Sequence, residues 1–346
     1  MNPILQILRS PVSLACAAML GLALMLAFGL AGAWSPWLDA FAHFRVHFAL
    51  AAALLAIVLL ATRYRLLAAS ALLFAIACLW TVPGMSAWLS LGSVQAAFQP
   101  HSGDQPTYRL LQMNLRFNNP TPEKVLSLIG STRPDIITFE EASPMWQDKL
   151  QSLAHAYPFS IYCGSVFGSA ILSRRPLAEG TEAACHTAGT LATATVDLGG
   201  RPIDVAAIHM GWPWPRQQTW QIRSISGPLG KLGATAIMAG DCNAAPWSGA
   251  VHRIAEHGGL TIMPSVGPTW MWRRLPDALR FAGLPIDQVF SKGDVVIHSA
   301  HKMAPAGSDH LPILVEFSLR PQAPKPENEA SSATVSADPE MAALGG

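Results

Sequence analysis

The sequence predicts an α/β fold in which two mixed β-sheets pack face to face with helices outside, behind about three transmembrane helices. Three observations carry this expectation. Residues 1–100 hold only five charged side chains (Arg9, Asp39, Arg45, Arg63 and Arg65), whereas the 346-residue chain has 23 Lys and Arg and 22 Asp and Glu. From residue 108 onward, short β-branched-rich runs recur and are roughly twice as numerous as helical stretches. Gly199-Gly200 separates two alternating runs, which reads as a hairpin and so requires antiparallel pairing within the sheet.

The apolar part comes first. Between Arg9 and Asp39 lie 29 uncharged residues, and a spanning helix needs about 20. Pro11 to Trp34 therefore reads as one span, and Val46 to Thr62 and Leu66 to Val82 as two shorter ones, joined by the basic turn Arg63-Tyr64-Arg65. A secretory signal is the alternative, with Ala31-Gly32-Ala33 as its cleavage site. Against it, the apolar stretch exceeds the usual length of about 7 to 15 residues. Under the positive-inside rule Arg9 and the Arg63/Arg65 turn are cytoplasmic, which places the chain after Val82 outside. The expectation is a multi-pass inner-membrane protein whose main domain is periplasmic or extracellular. No metal-binding cysteine spacing occurs; an oxidising compartment permits a Cys163–Cys185 bridge, for which the sequence supplies no geometry.

The expected organisation is a membrane anchor over 1–83, a linker over 84–106 with a short interfacial helix around Trp88, a catalytic domain over 107–320, and a disordered tail over 321–346, rich in Pro, Ser, Ala and acids. Within the domain, strand-like runs begin at YRLLQMNLRF (108–117) and DIITFEEA (135–142). They continue through 159–164, 169–174, 191–200, 201–210, 235–243, 286–291 and 295–302 to PILVEFSL (312–319). Helical periodicity falls at 122–133, 143–156, 215–232 and 249–257, with Pro, Thr or Ser at the starts of these segments.

Several strands end in polar groups. Asn114 interrupts the first run, Glu140 and Glu141 close the second, His209 closes DVAAI, Asp241 and Asn243 close TAIMAG, Asp287 opens DQVF, and Asp309-His310 precedes LPILVEF. Any one of these can cap a turn or face solvent. Together, at the ends of strands in two packed sheets, they gather on one edge and line a polar cleft. Carboxylate and amide oxygens suit a hard cation such as Mg²⁺ or Mn²⁺ rather than zinc.

In order along the chain, Gln112-Met113-Asn114, Glu140-Glu141, GSAILSRRPL (168–177), Ile208-His209-Met210, Gly240-Asp241-Cys242-Asn243, Ile286-Asp287-Gln288 and Ser308-Asp309-His310-Leu311-Pro312 resemble the endonuclease/exonuclease/phosphatase family. That resemblance implies a four-layer αββα sandwich, a divalent metal and hydrolysis of phosphate esters. The anchor is similar to that of the YafD-like and VanJ-like bacterial branch. Position by position, the resemblance makes Glu141 and Asp309 metal ligands, with Asn114 beside the metal or its phosphate. Asp241 orients and deprotonates the attacking water, and Asn243 holds a phosphate oxygen. His310 binds a nonbridging oxygen or shuttles a proton, Asp287 fixes its tautomer, and His209 stands near the leaving group. Glu140 occupies a position where relatives commonly carry Gln, and strand alternation sends it to the side opposite Glu141. Cys242 reads as core packing, and Ser169 replaces a frequent Asn.

The substrate expectation follows from charge and aromatics. Residues 101–320 carry 18 basic and 17 acidic side chains, a poor match for gripping a phosphate backbone. Arg174, Arg175, Arg273, Arg274 and Arg280 form either a local patch or scattered solvated surface. Trp212-Pro213-Trp214 directly follows the His209 segment, and Trp270-Met271-Trp272 precedes two arginines. Such tryptophans stack bases, sit at a bilayer's headgroup level or pack in the core. With an anchor nearby, the expectation is a phosphoesterase acting on a lipid-linked phosphate at the membrane bilayer. A nuclease acting on nucleic acid outside the cytoplasm is the alternative, and a noncatalytic headgroup binder is a third, against which the presence of both Asp241 and His310 speaks.

Overall fold

The computed structural model describes residues 10–83, 105–164 and 166–321; the expected linker, with its helix around Trp88, and the expected tail lie outside these except at their edges. The apolar part forms α1 (Pro11–Leu30), α2 (Pro36–Ala42), α3 (Arg45–Leu59) and α4 (Arg65–Trp80). Two clusters fix their antiparallel order. Cys16 and Met19 of α1 meet Ala56 and Leu59 of α3 and Ala68 of α4 at one end, while Leu26, Ala49 and Cys78 meet toward the other.

The expected three spans are corrected by this arrangement. One helix, α1 with 20 residues, is long and apolar enough to cross a bilayer, and α2 with α3 meets the same test only as a single broken span bent by 62°. α3 has 15 residues and α4 has 16; at 1.5 Å per residue these reach about 22–24 Å, short of a hydrocarbon core about 30 Å thick. The physical reason is that the polar groups between α1 and α3 turn toward the β-domain. Asp39 Oδ1 and Oδ2 accept the backbone N–H groups of Gly249 and Ala250 at 2.7 Å each. His43 Nδ1 accepts from Ala245 N at 3.1 Å, and the Trp247 indole donates to the Ala42 carbonyl at 2.7 Å.

The domain contains two six-stranded sheets. Strands β1 (Tyr108–Asn114), β2 (Ile136–Glu140), β3 (Phe159–Tyr162), β4 (Ala170–Ser173), β11 (Val295–Lys302) and β12 (Ile313–Leu319) form the first, in the order β11-β12-β1-β2-β4-β3. The second runs β5-β6-β7-β8-β10-β9, built from β5 (Ala184–His186), β6 (Leu191–Asp197), β7 (Pro202–His209), β8 (Ala236–Asp241), β9 (Thr261–Ile262) and β10 (Asp287–Lys292). Each is mixed: β1–β2 and β7–β8 are parallel, and the other pairs are antiparallel. The hairpin expected at Gly199-Gly200 joins β6 to β7, with φ of 71° and 85° at the two glycines, values that suit residues lacking a Cβ.

Alternation along the strands produces three apolar layers. Leu110, Ile136, Val205, Ile237 and Val289 meet between the sheets. On one outer face α5 (Pro122–Thr132) and α6 (Pro144–Leu150) bury Val125, Ile129 and Trp146 against Leu111 and Phe139. On the other, α7 (Gln218–Gly230) and α8 (Gly249–Gly258) bury Ile222, Ile225 and Ile254 against Met238 and Phe290. The four expected layers are all present. Cys163 and Cys185 are joined in a disulfide that links the β3 edge of one sheet to the β5 edge of the other.

α8 is capped by two segments far apart in sequence: Ser248 Oγ accepts from Val251 N, and Asp39 takes the two preceding N–H groups. Asp39→Ala therefore leaves one buried and one part-buried donor unpaired, at a cost of about 1–3 kcal/mol. Thermal unfolding of the detergent-solubilised chain should show a lower Tm for this variant than for wild type.

Candidate active site

Strand register brings the polar residues to one level. Asn114 lies opposite Glu140 across the parallel β1–β2 pair; His209 lies opposite Asp241 across β7–β8, and Asp287 opposite Asp241 across β10–β8. Just past two of these strand ends the backbone turns left-handed, with φ of 55° at Glu141 and 46° at Asn243. The separation of Glu140 from Glu141 therefore comes from a turn, not from continued strand alternation, because β2 ends at Glu140.

Glu141, His209, Asp241, Asn243, Asp309 and His310 line one cavity of about 640 Å³, together with Phe167, Trp212, Arg216, Trp220 and Trp270. Asn114 and Asp287 are buried behind this surface. Asp241 is the hub. Its Oδ1 accepts from Asn243 N at 2.8 Å, and its Oδ2 accepts from Asn114 Nδ2 at 3.0 Å and Asn243 Nδ2 at 3.3 Å. The Nε2 atoms of His310 and His209 stand 3.6 and 3.7 Å from the same Oδ2. Since a carbonyl only accepts, the 2.8 Å contact to Phe167 O puts the His209 proton on Nδ1 and turns Nε2 toward Asp241.

His310 Nδ1 lies 2.9 Å from Asp287 Oδ2, and Gln112 Nε2 donates to Asp287 Oδ1 at 3.0 Å and to Glu140 Oε2 at 2.8 Å. Burial alone would discharge His310, but the Asp287 and Asp241 carboxylates beside it outweigh burial and hold its pKa up, at about 10. For Asp287, the His310 charge and hydrogen bond outweigh burial, so its carboxyl lies below the ordinary value. Asp241 goes the other way: burial raises it to about 6, with His310 as the main opposing influence. Glu140 is wholly buried, and burial plus Asp287 push its carboxyl well above the normal range, which favours its neutral form. Cys242 packs against the α7–α8 layer with its thiol raised by burial, in keeping with a core role.

Asp241, Asp287 and His310 offer ligand atoms within 4.8 Å of one another, so this buried trio is a candidate cation site among the described residues. Glu141 and Asp309 fall outside the trio but face the same cavity, and both are oxygen donors suited to a hard cation. Glu141 Oε2 accepts from Phe117 N at 2.8 Å, its Oε1 accepts from Asn114 Nδ2 at 3.4 Å, and Asp309 Oδ2 accepts from the Trp270 indole at 3.3 Å. Asn243 is committed to Asp241 and to the Met210 carbonyl at 2.8 Å, so it orients Asp241 as well as facing the cleft.

Sequence reading missed Gln112 as a link between Glu140 and Asp287, although the residue opens the QMN segment. It also missed Trp270 as the donor to Asp309, for which the only signal is an aromatic shortly before the strand carrying Asp287. Core packing does not describe Trp212, Trp214 and Trp272, which are 45, 57 and 52% exposed. Arg175 does not join a free basic patch, since it pairs with Asp135 at 2.9 Å and lies over the Tyr108 ring. Ser169 is buried, with its hydroxyl on the Thr190 carbonyl.

The model of the Endonuclease/Exonuclease/phosphatase family matches residues 111–310. No curated protein sequence matches the chain. Among solved structures, the human Nocturnin catalytic domain with bound sulfate anion is 18% identical, with a TM-score of 0.50, covering 69% of this chain and 99% of that one. An endonuclease/exonuclease/phosphatase from Bacteroides vulgatus is also 18% identical, with a TM-score of 0.51, covering 62% of this chain and all of that one, 100%. At such identities these likenesses speak for the fold.

Proposed function

The chain belongs to the Endonuclease/Exonuclease/phosphatase family and is a metal-dependent phosphoesterase; on that premise we propose that it is the membrane-anchored kind, hydrolysing a lipid-linked phosphate monoester or phosphodiester outside the cytoplasm. The observation that carries this reading is the cavity itself. Asp241 and His310 form its floor, with Asp287 buried behind them, and exposed tryptophans form its rim, in a chain whose first helix is apolar enough to span a bilayer. The Cys163–Cys185 disulfide supports an oxidising compartment.

The roles follow from the bonding. Asp241 accepts three donors and has a pKa drawn toward neutrality, which suits a base that orients a water and takes its proton. His310, kept cationic by Asp287, presents Nε2 to the cleft, where it offsets charge on a nonbridging phosphoryl oxygen. His209, with Nδ1–H held by Phe167 O, donates a proton from Nε2 to the departing oxygen when its ring carries both protons. We assign the cation to Glu141 and Asp309 with Asn114 alongside, because His310 Nδ1 and Asp287 are already engaged with each other. When bound, Mg²⁺ or Mn²⁺ supplies neutralising charge at the phosphoryl group.

The test is turnover of the detergent-solubilised full chain on phospholipid, isoprenoid phosphate, plasmid and single-stranded DNA, with Mg²⁺, Mn²⁺ or chelator. Hydrolysis of the lipid substrates that chelator abolishes is the expected result; cleavage of DNA alone would overturn the lipid assignment. Glu141→Gln should weaken Mg²⁺ binding by about 10–100-fold in calorimetric titration, whereas loss of binding only in Asp287→Asn would move the cation to the buried trio.

A further inference from the structure

The segment 271–282 runs from the cleft to the helical bundle. At its cleft end Trp270 donates to Asp309 and pairs with Leu284, which closes the base of the loop. On its returning arm, just before Leu284, the Ala282 carbonyl accepts from His47 Nε2, 2.9 Å away, on the first turn of α3. Between these two anchors the loop displays Trp272, Leu275, Leu279 and Phe281 at 52, 39, 39 and 50% exposure. Large apolar side chains concentrated on one exposed loop are unfavourable in water and mark an interaction surface.

Two features identify what covers it. The helix ends on this side of the bundle carry Trp34, Trp37, Phe44 and Trp80, exposed at 86, 46, 42 and 86%, the aromatic girdle expected at headgroup depth. The Phe44 ring lies 6.0 Å from the His47 ring, so the residue that holds the loop also adjoins the girdle. In addition, Arg273 and Arg274 are exposed within the loop, and the Arg274 guanidinium lies 5.5 Å from the centroid of the Trp272 ring. Arginine and tryptophan together suit an anionic headgroup layer.

We infer that residues 271–282 form a lip inserted in the headgroup layer of the leaflet that faces the catalytic domain, and that a lipid's phosphate reaches the cleft along this lip from within the leaflet. The inference deepens the lipid-linked reading and rests on it. Its occupant is the bilayer, continuous with the girdle of α1, α3 and α4.

The experiment places an environment-sensitive fluorophore at Leu279→Cys, and in a separate protein at Lys149→Cys on the exposed face of α6, in the full chain. The native thiols are buried or bridged, which leaves the introduced one accessible. Each protein is reconstituted in phosphatidylcholine–phosphatidylglycerol vesicles containing phospholipid with a nitroxide near the top of its acyl chain. Quenching several-fold stronger at 279 than at 149 is the expected result. Equal quenching overturns the lip, as does protection at 279 that grows with protein concentration, which would assign the loop to a second copy. This readout needs no turnover, so it stands or fails apart from the substrate assignment. In Leu275→Glu/Leu279→Glu, the ratio of turnover on vesicle lipid to turnover on a soluble aryl phosphodiester should fall about tenfold; an unchanged ratio overturns the route.

Discussion

Asp241→Asn is expected to lower kcat by about three to four orders of magnitude, the upper part of the range for losing a positioned general base. The substitution keeps an acceptor at Oδ1 for the Asn243 N–H and preserves shape, so the β7–β8–β10 register should persist. What disappears is the capacity to take a proton, together with the negative charge faced by His310 and His209 at 3.6 and 3.7 Å. Circular dichroism of the variant should match wild type while its Tm falls modestly, because the amide nitrogen in place of Oδ2 leaves the Asn114 and Asn243 Nδ2 donors without an acceptor, and turnover of a generic phosphodiester collapses. Wild-type rates in the variant would retire Asp241 as the base and with it the catalytic reading of the cleft.

His310→Ala is expected to cost about 10²–10³ in kcat, the usual effect of deleting one donor aimed at developing charge. Its pH behaviour is the more discriminating measurement. Asp241 must be ionised to act, and burial raises it to about 6, so kcat/KM should fall as pH drops through that value. His310 must be protonated, and its carboxylate neighbours hold its pKa at about 10, so the alkaline limb should appear only as pH approaches that value. The sign for Asp287→Asn then follows. Removing the adjacent carboxylate lets burial dominate, the imidazolium loses its proton more readily, and the alkaline limb should move toward neutrality by about 1–3 units. A limb that stays in place would show that Asp287 does not set the charge of His310.

Much of the cleft was legible because its residues break local rules. Strands that should end in apolar or turn-forming residues end in, or are followed within two residues by, Asn114, Glu141, His209, Asp241 and Asn243, and two packed sheets leave such ends one edge to share. The four layers were legible for a related reason, since period-two alternation and Pro- or Ser-led helices each report local structure. Contacts between distant segments left no comparable trace. Asp39 in an apolar stretch gives no hint that it caps a helix some 210 positions away, and His43 and Trp247 look equally ordinary until folding brings them together. The same limit explains the overcounted spans. Hydropathy reports how apolar a run is, but not where its helix will break to meet another domain, as happens around His43 and Phe44. Gln112 escaped notice because its importance comes only from bridging two carboxyl groups brought together by tertiary structure.

The Asp39 carboxylate that ties the α1–α3 connection to α8 also governs how the enzyme explores its surroundings. A domain hung from a loose cord would sweep a hemisphere and meet substrates at many heights. This one is bolted at the base, so on the proposal that α1 crosses a bilayer its mouth would travel at a fixed altitude. Encounters would then reduce to lateral drift in a plane, and molecules protruding too far or too little from that plane would escape hydrolysis whatever their chemistry.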